Sequence, residues 1–286
     1  MRRNAAARHS VLGLADIIGI CTKTLAVSLV LGASMQAETN DVTSVDGTNI
    51  GAAAIGRSSK PAWDDITVYQ KHEIEGWQVL VNEKLAADKA LCEPALTLLD
   101  FQLQQIARVV PKEPLSKLRQ IPIWVERSSG QFPCMCYHES RDWLSTHGVN
   151  PAKTGAVELA NPTNFLAWTR DQPWMVLHEL AHGYHQRFLG EDHPGILRCY
   201  EHARAAGLYE SVLRINGHRE RHYGMTNAKE YFAEMSEAFF GTNDFYPFVR
   251  AELKEHDPDM FEMLREVWGF ARDSGAPAGS IPKPPS

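Results

Sequence analysis

The sequence predicts an α+β fold, in which a small early sheet is followed by helices. β-prone residues run from 66 to 82, and the best strand within them is Gly76–Asn82. Later segments carry apolar residues at helical spacing, most clearly in 85–110 and 228–240. With 286 residues, the chain is long enough for one substantial domain with appendages.

The composition is that of an ordinary globular protein, with 44% hydrophobic and 22% charged residues. The formal net charge of −6 provides no basic surface for nucleic acid. The sequence also lacks a P-loop and a dinucleotide-binding glycine pattern. We therefore expect no nucleic-acid partner and no phosphate-handling role.

The first 37 residues have the order of a secretory signal peptide. Arg2, Arg3 and Arg8 precede two apolar stretches, and small and polar residues follow up to Ala37. Charged residues interrupt the apolar region, whereas a transmembrane helix needs about 20 mostly apolar residues. The sequence therefore predicts export to the periplasm or the extracellular space, or anchoring by an uncleaved N-terminus. No stable membrane span is expected after processing.

The rest of the chain divides by composition into three parts. Residues 38–60 are rich in small and polar side chains and predict a flexible linker. Residues 61–272 are expected to form the folded domain, and the Pro-, Gly- and Ser-rich residues 273–286 a disordered tail. Four cysteines remain after the leader, and the sequence does not pair them: Cys92, Cys134, Cys136 and Cys199.

Within the domain, the secondary-structure signals alternate between strands and helices. Pro94 favours the start of a helix, and Pro173 the first turn of another that stops at Gly190. An Asn-Gly pair at 216–217 predicts a hairpin. The remaining predicted elements are strands at 121–126 and 155–160 and helices at 194–206, 248–255 and 257–268.

The most informative stretch spells H-E-x-x-H with His178, Glu179 and His182. Residues four apart on a helix share one face, so both imidazoles can bind one metal ion. Glu179 can then face a water molecule bound to that ion. This pattern is typical of a zinc site in which the glutamate is the general base.

A catalytic zinc site needs a third protein ligand, and His185 does not qualify. Seven residues of helix separate it from His178 by about 10 Å, too far for two bonds of about 2 Å to one ion. The longer motif H-E-x-x-H-x-x-G-x-x-H also fails, because Phe188 stands where the third histidine is required. The third ligand must therefore come from elsewhere in the chain.

Two glutamates on the helix predicted at 228–240 are candidates. Glu230 could complete a site of two histidines and one glutamate, and Glu234 could accept a hydrogen bond from a ligating imidazole. Asn227 followed three residues later by Glu230 also fits a helix-capping box. On spacing alone, capping and metal binding both remain open for Glu230.

The stretch 178–237 resembles the catalytic domain of the anthrax lethal factor family and of the related Pro-Pro endopeptidases, which are gluzincin metallopeptidases. In that family H-E-x-x-H is followed by a tyrosine seven residues before a glutamate in an E-[FY]-F-A-E run. Tyr223 and Glu230 keep this spacing. The resemblance implies a zincin-like fold, with the H-E-x-x-H helix facing a second, glutamate-bearing helix.

The resemblance also implies a role for each residue of the site. His178, His182 and Glu230 would bind one zinc ion, Glu179 would be the general base, and Tyr223 would stabilise an oxyanion. Asn227 would remain free to cap the helix. The implied activity is that of a zinc metalloendopeptidase acting on a peptide or protein substrate, and the alternative is a zinc-stabilised binding module without turnover.

Two further expectations concern the surroundings of this site. Gluzincins bind substrate as a strand added to a sheet edge, and the candidate edge, directly before the metal-binding helix, consists of Ala156, Val157, Glu158 and Leu159. His138 lies beside two cysteines and is the one other place where a second metal could bind. Ordinary loop chemistry is the alternative for that cluster.

Overall fold

The computed structural model describes residues 63–270. The predicted signal peptide (1–37), linker (38–60) and tail (273–286) lie outside these residues. The described part combines helices with one mixed sheet, which confirms the α+β prediction. No helix between residues 63 and 270 is long and apolar enough to cross a membrane.

The structure contains the following elements in chain order. The strands are β1 (Tyr69–Ile74), β2 (Trp77–Asn82), β3 (Ile123–Val125), β4 (Met135–Tyr137), β5 (Val157–Leu159), β6 (Val212–Leu213) and β7 (Arg219–Glu220). The helices are α1 (Glu83–Ala87), α2 (Lys89–Val109), α3 (Lys112–Leu118), α4 (Arg141–Thr146), α5 (Pro162–Trp168), α6 (Met175–Tyr184), α7 (Pro194–Ala206), α8 (Ala228–Phe240), α9 (Arg250–His256) and α10 (Pro258–Val267).

The main sheet has the strand order β1-β2-β3-β5-β4. The three inner strands run parallel, and each outer strand is antiparallel to its neighbour. Glu75 and Gly76 both have positive φ, the backbone of a tight hairpin turn between β1 and β2.

The predicted substrate edge is wrong. The segment with Ala156, Val157, Glu158 and Leu159 includes β5, which pairs with β3 on one side and β4 on the other. β4 takes the outer position. It is a three-residue strand that the sequence pattern did not reveal, because it is too short to show alternation.

The two faces of the sheet differ in what covers them. Alternate residues such as Val79, Ile123 and Val157 point into the main core, which also contains the apolar side chains of α2 and α6. We call this the helix face. The opposite face carries Trp124 and Glu158 and is covered by smaller clusters around them. We call it the second face.

Most helix predictions are confirmed, including the bounds of α7 and α8 and the β6–β7 hairpin. Two proline assignments are wrong. Pro94 lies inside α2, where it and Ala90 are exposed, so that water can satisfy the carbonyl that Pro94 leaves unbonded. Pro173 precedes α6, which begins at Met175. A π-helical turn extends α6 and ends at Gly190 with φ of 90°, so the predicted stop is confirmed.

Candidate metal centre

Helix α6 is buried along its whole length, from Met175 to Tyr184. A helix that is buried on every side lies at the centre of a domain, where unpaired polar groups are costly. His178, Glu179 and His182 nevertheless lie on it, with 2%, 1% and 9% of their surface exposed. We therefore expect these side chains to have partners that offset their burial.

Three ligand-type atoms from two helices converge beside α6. The Nε2 atoms of His178 and His182 are 3.1 Å apart. Glu230 on α8 places Oε2 3.1 Å from the first nitrogen and 3.3 Å from the second. A tetrahedral zinc ion with bonds of about 2.0–2.1 Å separates its ligand atoms by about 3.3 Å. The three side chains could therefore bind one ion almost as they stand.

Asn227 caps α8 without using the carboxylate of Glu230. Its Oδ1 atom accepts hydrogen bonds from the backbone N–H groups of Lys229 and Glu230, both at 2.9 Å. Glu230 thus gives its N–H to the cap and its carboxylate to the histidines. Asn227 alone therefore provides the cap, and the Glu230 carboxylate faces the histidines and does not complete the capping box.

His178 is oriented by carboxylates on the side away from Glu230. Its Nδ1 atom is 2.7 Å from Oε1 of Glu237 and 3.5 Å from Oε1 of Glu234. An ionised carboxylate only accepts hydrogen bonds, so this contact favours the tautomer with the proton on Nδ1, which leaves the lone pair of Nε2 directed toward His182 and Glu230. Such pairing is the usual support of a metal-binding histidine.

The sequence prediction assigned this supporting role to Glu234 and did not consider Glu237. The shorter distance makes Glu237 the principal partner of His178. Its sequence signal is the spacing of Glu230, Glu234 and Glu237, which places all three carboxylates on one face of α8. All three are buried.

The charge of Glu230 depends on the histidines. Burial disfavours its ionised form, but His182 and His178 more than offset this effect and hold the pKa of the carboxyl well below its ordinary value. His185, on the π-helical turn, does not belong to this group. Burial, together with the nearby His182, lowers its pKa to about 4.

Glu179 is the neighbour of His178 and has a different environment. Its Oε1 atom is buried and has no hydrogen-bond partner among the described residues. A buried carboxylate oxygen without a partner is costly, and water is the usual remedy. The position therefore suits a group that hydrogen-bonds to a water molecule in the site.

Tyr223 lies in a 3₁₀ turn, Tyr223–Thr226, directly before α8. Its ring is half-buried against the main core. The turn packs closely on α8, since a Cβ atom added to Gly224 would lie 3.5 Å from Cβ of Glu234. The turn that carries the predicted oxyanion residue thus packs on α8 close to Glu234.

Strand β4 runs beside α6 and is the sheet edge nearest the centre. A Cβ atom on Gly183 would lie 2.9 Å from the Tyr137 ring, so this glycine allows the close approach. The Sγ atom of Cys134 is 3.4 Å from Sδ of Met175 at the start of the helix. Glu158, from the predicted edge, instead points to the second face.

No protein-family model, curated protein or solved structure matches this chain.

Proposed function

We propose that this protein is a zinc-dependent metalloendopeptidase with a zincin-like, gluzincin-type catalytic domain. The observation that carries the proposal is the triangle of buried ligand atoms from His178, His182 and Glu230, with separations of 3.1–3.3 Å. The unpartnered oxygen of Glu179 beside it supports a site that also takes up water. The resemblance of the 178–237 motif to the lethal factor family supports the same activity.

In this proposal, His178, His182 and Glu230 hold the ion. A zinc ion held there would supply a Lewis acid for the substrate carbonyl and would lower the pKa of a bound water toward 7. Glu179 takes the proton of the attacking water and passes it to the leaving amine. Glu237 keeps the His178 ring in the required orientation through its contact with Nδ1, and Glu234 lies farther from the same nitrogen.

Tyr223 acts on the substrate oxygen in this scheme. As the peptide carbonyl is attacked, negative charge develops on its oxygen. The phenol hydroxyl of Tyr223 donates a hydrogen bond to that oxygen, a contribution of about 3 kcal/mol in comparable sites. The half-buried turn that carries it limits the movement of the ring.

The substrate would be an extended peptide that adds to the sheet along β4. Among the described strands, β4 pairs with β5 alone, so its other side can accept a further strand. This edge replaces the one expected at residues 156–159. The signal-like N-terminus supports an exported enzyme whose substrates are extracellular or periplasmic proteins.

The proposal is tested with the purified full chain and an unbiased peptide library. We expect cleavage that a chelator abolishes and added zinc restores, and zinc bound to the wild type but lost from this site in His178→Ala. His202→Ala, which removes an exposed histidine from α7, is the matched control. Bound zinc without cleavage would favour the binding module. Wild-type protein that binds no zinc would refute both functions.

A further inference from the structure

A second group of ligand-type side chains lies on the second face of the sheet. Cys136 on β4 is paired in register with Glu158 on β5. His138 follows Cys136 by two residues and therefore points to the same face. The Nε2 atom of His138 is 3.7 Å from Sγ of Cys136 and 2.5 Å from Oε2 of Glu158. All three side chains are at least 95% buried.

We propose that Cys136, His138 and Glu158 form a second binding site, for a divalent metal ion of the zinc class. Thiolate, imidazole and carboxylate are the ligands that zinc takes in proteins. In a tetrahedral zinc site, bonds of about 2.3 Å to sulfur and 2.0–2.1 Å to nitrogen separate these two atoms by about 3.6 Å. The sulfur and nitrogen already lie at this spacing.

The arrangement fits a shared ion better than a cysteine nucleophile. In a catalytic relay the histidine contacts the nucleophile through one ring nitrogen and the orienting carboxylate through the other. Here Cys136 and Glu158 both approach Nε2 of His138. Their convergence on one nitrogen is the geometry in which a metal ion would bind all three, once the carboxylate moves outward by about 0.8 Å.

The formal charges of the side chains around this cluster sum to zero when a divalent ion is bound. Lys153 is 5% exposed, with Nζ 2.8 Å from Glu158 and 2.7 Å from Glu126. One lysine and two glutamates leave a net charge of −1, and an ionised Cys136 makes it −2. A divalent cation neutralises this charge, which matters because uncompensated buried charge is costly. A proton on His138 with a neutral thiol would also give balance, and this is the competing state.

A cavity borders the carboxylate of this cluster. A cavity of about 210 Å³ on the second face is lined by Glu158, Lys153 and Phe132, among others. Phe132 in turn packs edge-on against the ring of His138, with centroids 5.1 Å apart. An ion bound beside Glu158 would therefore lie next to this cavity, which has room for a water molecule as its fourth ligand.

Cobalt binding distinguishes this site from the catalytic one, because only this site has a sulfur ligand. The chelator-treated, reduced full chain is titrated with Co²⁺ while its near-ultraviolet spectrum is recorded. We expect two equivalents to bind, with a thiolate-to-cobalt charge-transfer band. Cys136→Ser should lose one equivalent and the band, whereas Cys92→Ser, at another buried cysteine, should keep both.

The two proposals fail independently in this experiment. His178→Ala should lose the other equivalent and keep the band. A wild-type protein without the band would overturn the second site whether or not the variants fold. A band that persists in Cys136→Ser would overturn it as well, and either result would leave the catalytic site untouched.

Discussion

The two buried histidine–carboxylate clusters lie on opposite faces of the sheet and satisfy their charges differently. Around Glu230, the described ion-pair partners are histidines alone, and the ligand atoms are 3.1–3.3 Å apart. Around Glu158, the ammonium group of Lys153 already provides a positive charge. The Oε2 atom of Glu158 is also within hydrogen-bond distance of Nε2 of His138, at 2.5 Å. Both clusters combine histidine and glutamate. In the first, the described ion-pair partners of the glutamate are histidines alone, whereas in the second a lysine and a short hydrogen bond already compensate much of its charge.

This difference predicts the order of metal affinities. The Glu230 cluster needs little movement to bind an ion, whereas the Glu158 cluster must break a short hydrogen bond first. We therefore expect the proposed catalytic site to fill before the proposed site on the second face. Substitutions in each cluster test this difference through the zinc affinity, the turnover rate and the free energy of unfolding.

The largest effect is expected for Glu230→Gln, which removes one of the three proposed zinc ligands. Zinc affinity should fall by more than the roughly 10–100-fold that loss of an outer partner costs, and turnover should disappear with the metal. Competition with a chromogenic chelator measures the affinity. Glu201→Gln, an exposed carboxylate paired with Arg204, is the control. Unchanged affinity in Glu230→Gln would exclude this glutamate as a ligand.

Tyr223→Phe should lower kcat by about 100–1000-fold, the usual effect of losing an oxyanion donor. Zinc content should not change, because the tyrosine is not proposed as a ligand. Steady-state kinetics of a cleaved library peptide provides the measurement, with Tyr246→Phe as a comparison outside the proposed site. A wild-type kcat in Tyr223→Phe would remove the tyrosine from the mechanism.

Glu237→Gln should weaken zinc binding by about 10–100-fold, since the supporting hydrogen bond to His178 loses its charge. Glu234→Gln should have a smaller effect on affinity, because its 3.5 Å distance to the same nitrogen is at the limit of a hydrogen bond. The same competition assay ranks the two variants. The reverse order would show that Glu234 is the principal support after all.

Glu158→Gln tests the second face through stability. Burial opposes ionisation of Glu158, but hydrogen bonds and charges from His138 and Lys153 lower its pKa below the ordinary 4.5. The ionised carboxylate therefore stabilises the fold above about pH 4.5, and this contribution is lost as the pH falls through the lowered pKa.

With a chelator present, we expect Glu158→Gln to lower the free energy of unfolding at pH 7 by about 2 kcal/mol, the scale of hydrogen bonds to charged groups. The acid limb of the stability curve should also become less steep. Urea denaturation at several pH values measures both. A variant with the wild-type pH dependence would show that Glu158 is not the ionised partner of Lys153.

Local chemistry made much of this structure predictable. His178 and His182 share a face because they are four apart on a helix, and Asn227 starts α8 through its side-chain oxygen. The distance between Glu230 and the histidines depends on how α6 and α8 cross. The spacing alone therefore left capping and metal binding both open for Glu230, and the resemblance to a known family favoured metal binding.

The missed features depend on longer-range packing. Glu234 and Glu237 share one face of α8, so the packing of α8 on α6, and not the spacing, decides that Glu237 is the nearer partner of His178. β4 has three residues, and its place at the edge is set by pairing with β5 rather than by its own pattern. Consequently the sequence pattern predicts a sheet edge at β5, which in the structure has a neighbouring strand on each side.

The central claim is that Glu179 activates water at a metal held by His178, His182 and Glu230. The most direct test compares peptide cleavage by the wild type and by Glu179→Gln at equal, measured zinc content. We predict that the variant keeps its zinc and is slower by about 10²–10⁴-fold, the contribution of a general base. Cleavage by zinc-loaded Glu179→Gln at the wild-type rate would contradict the claim.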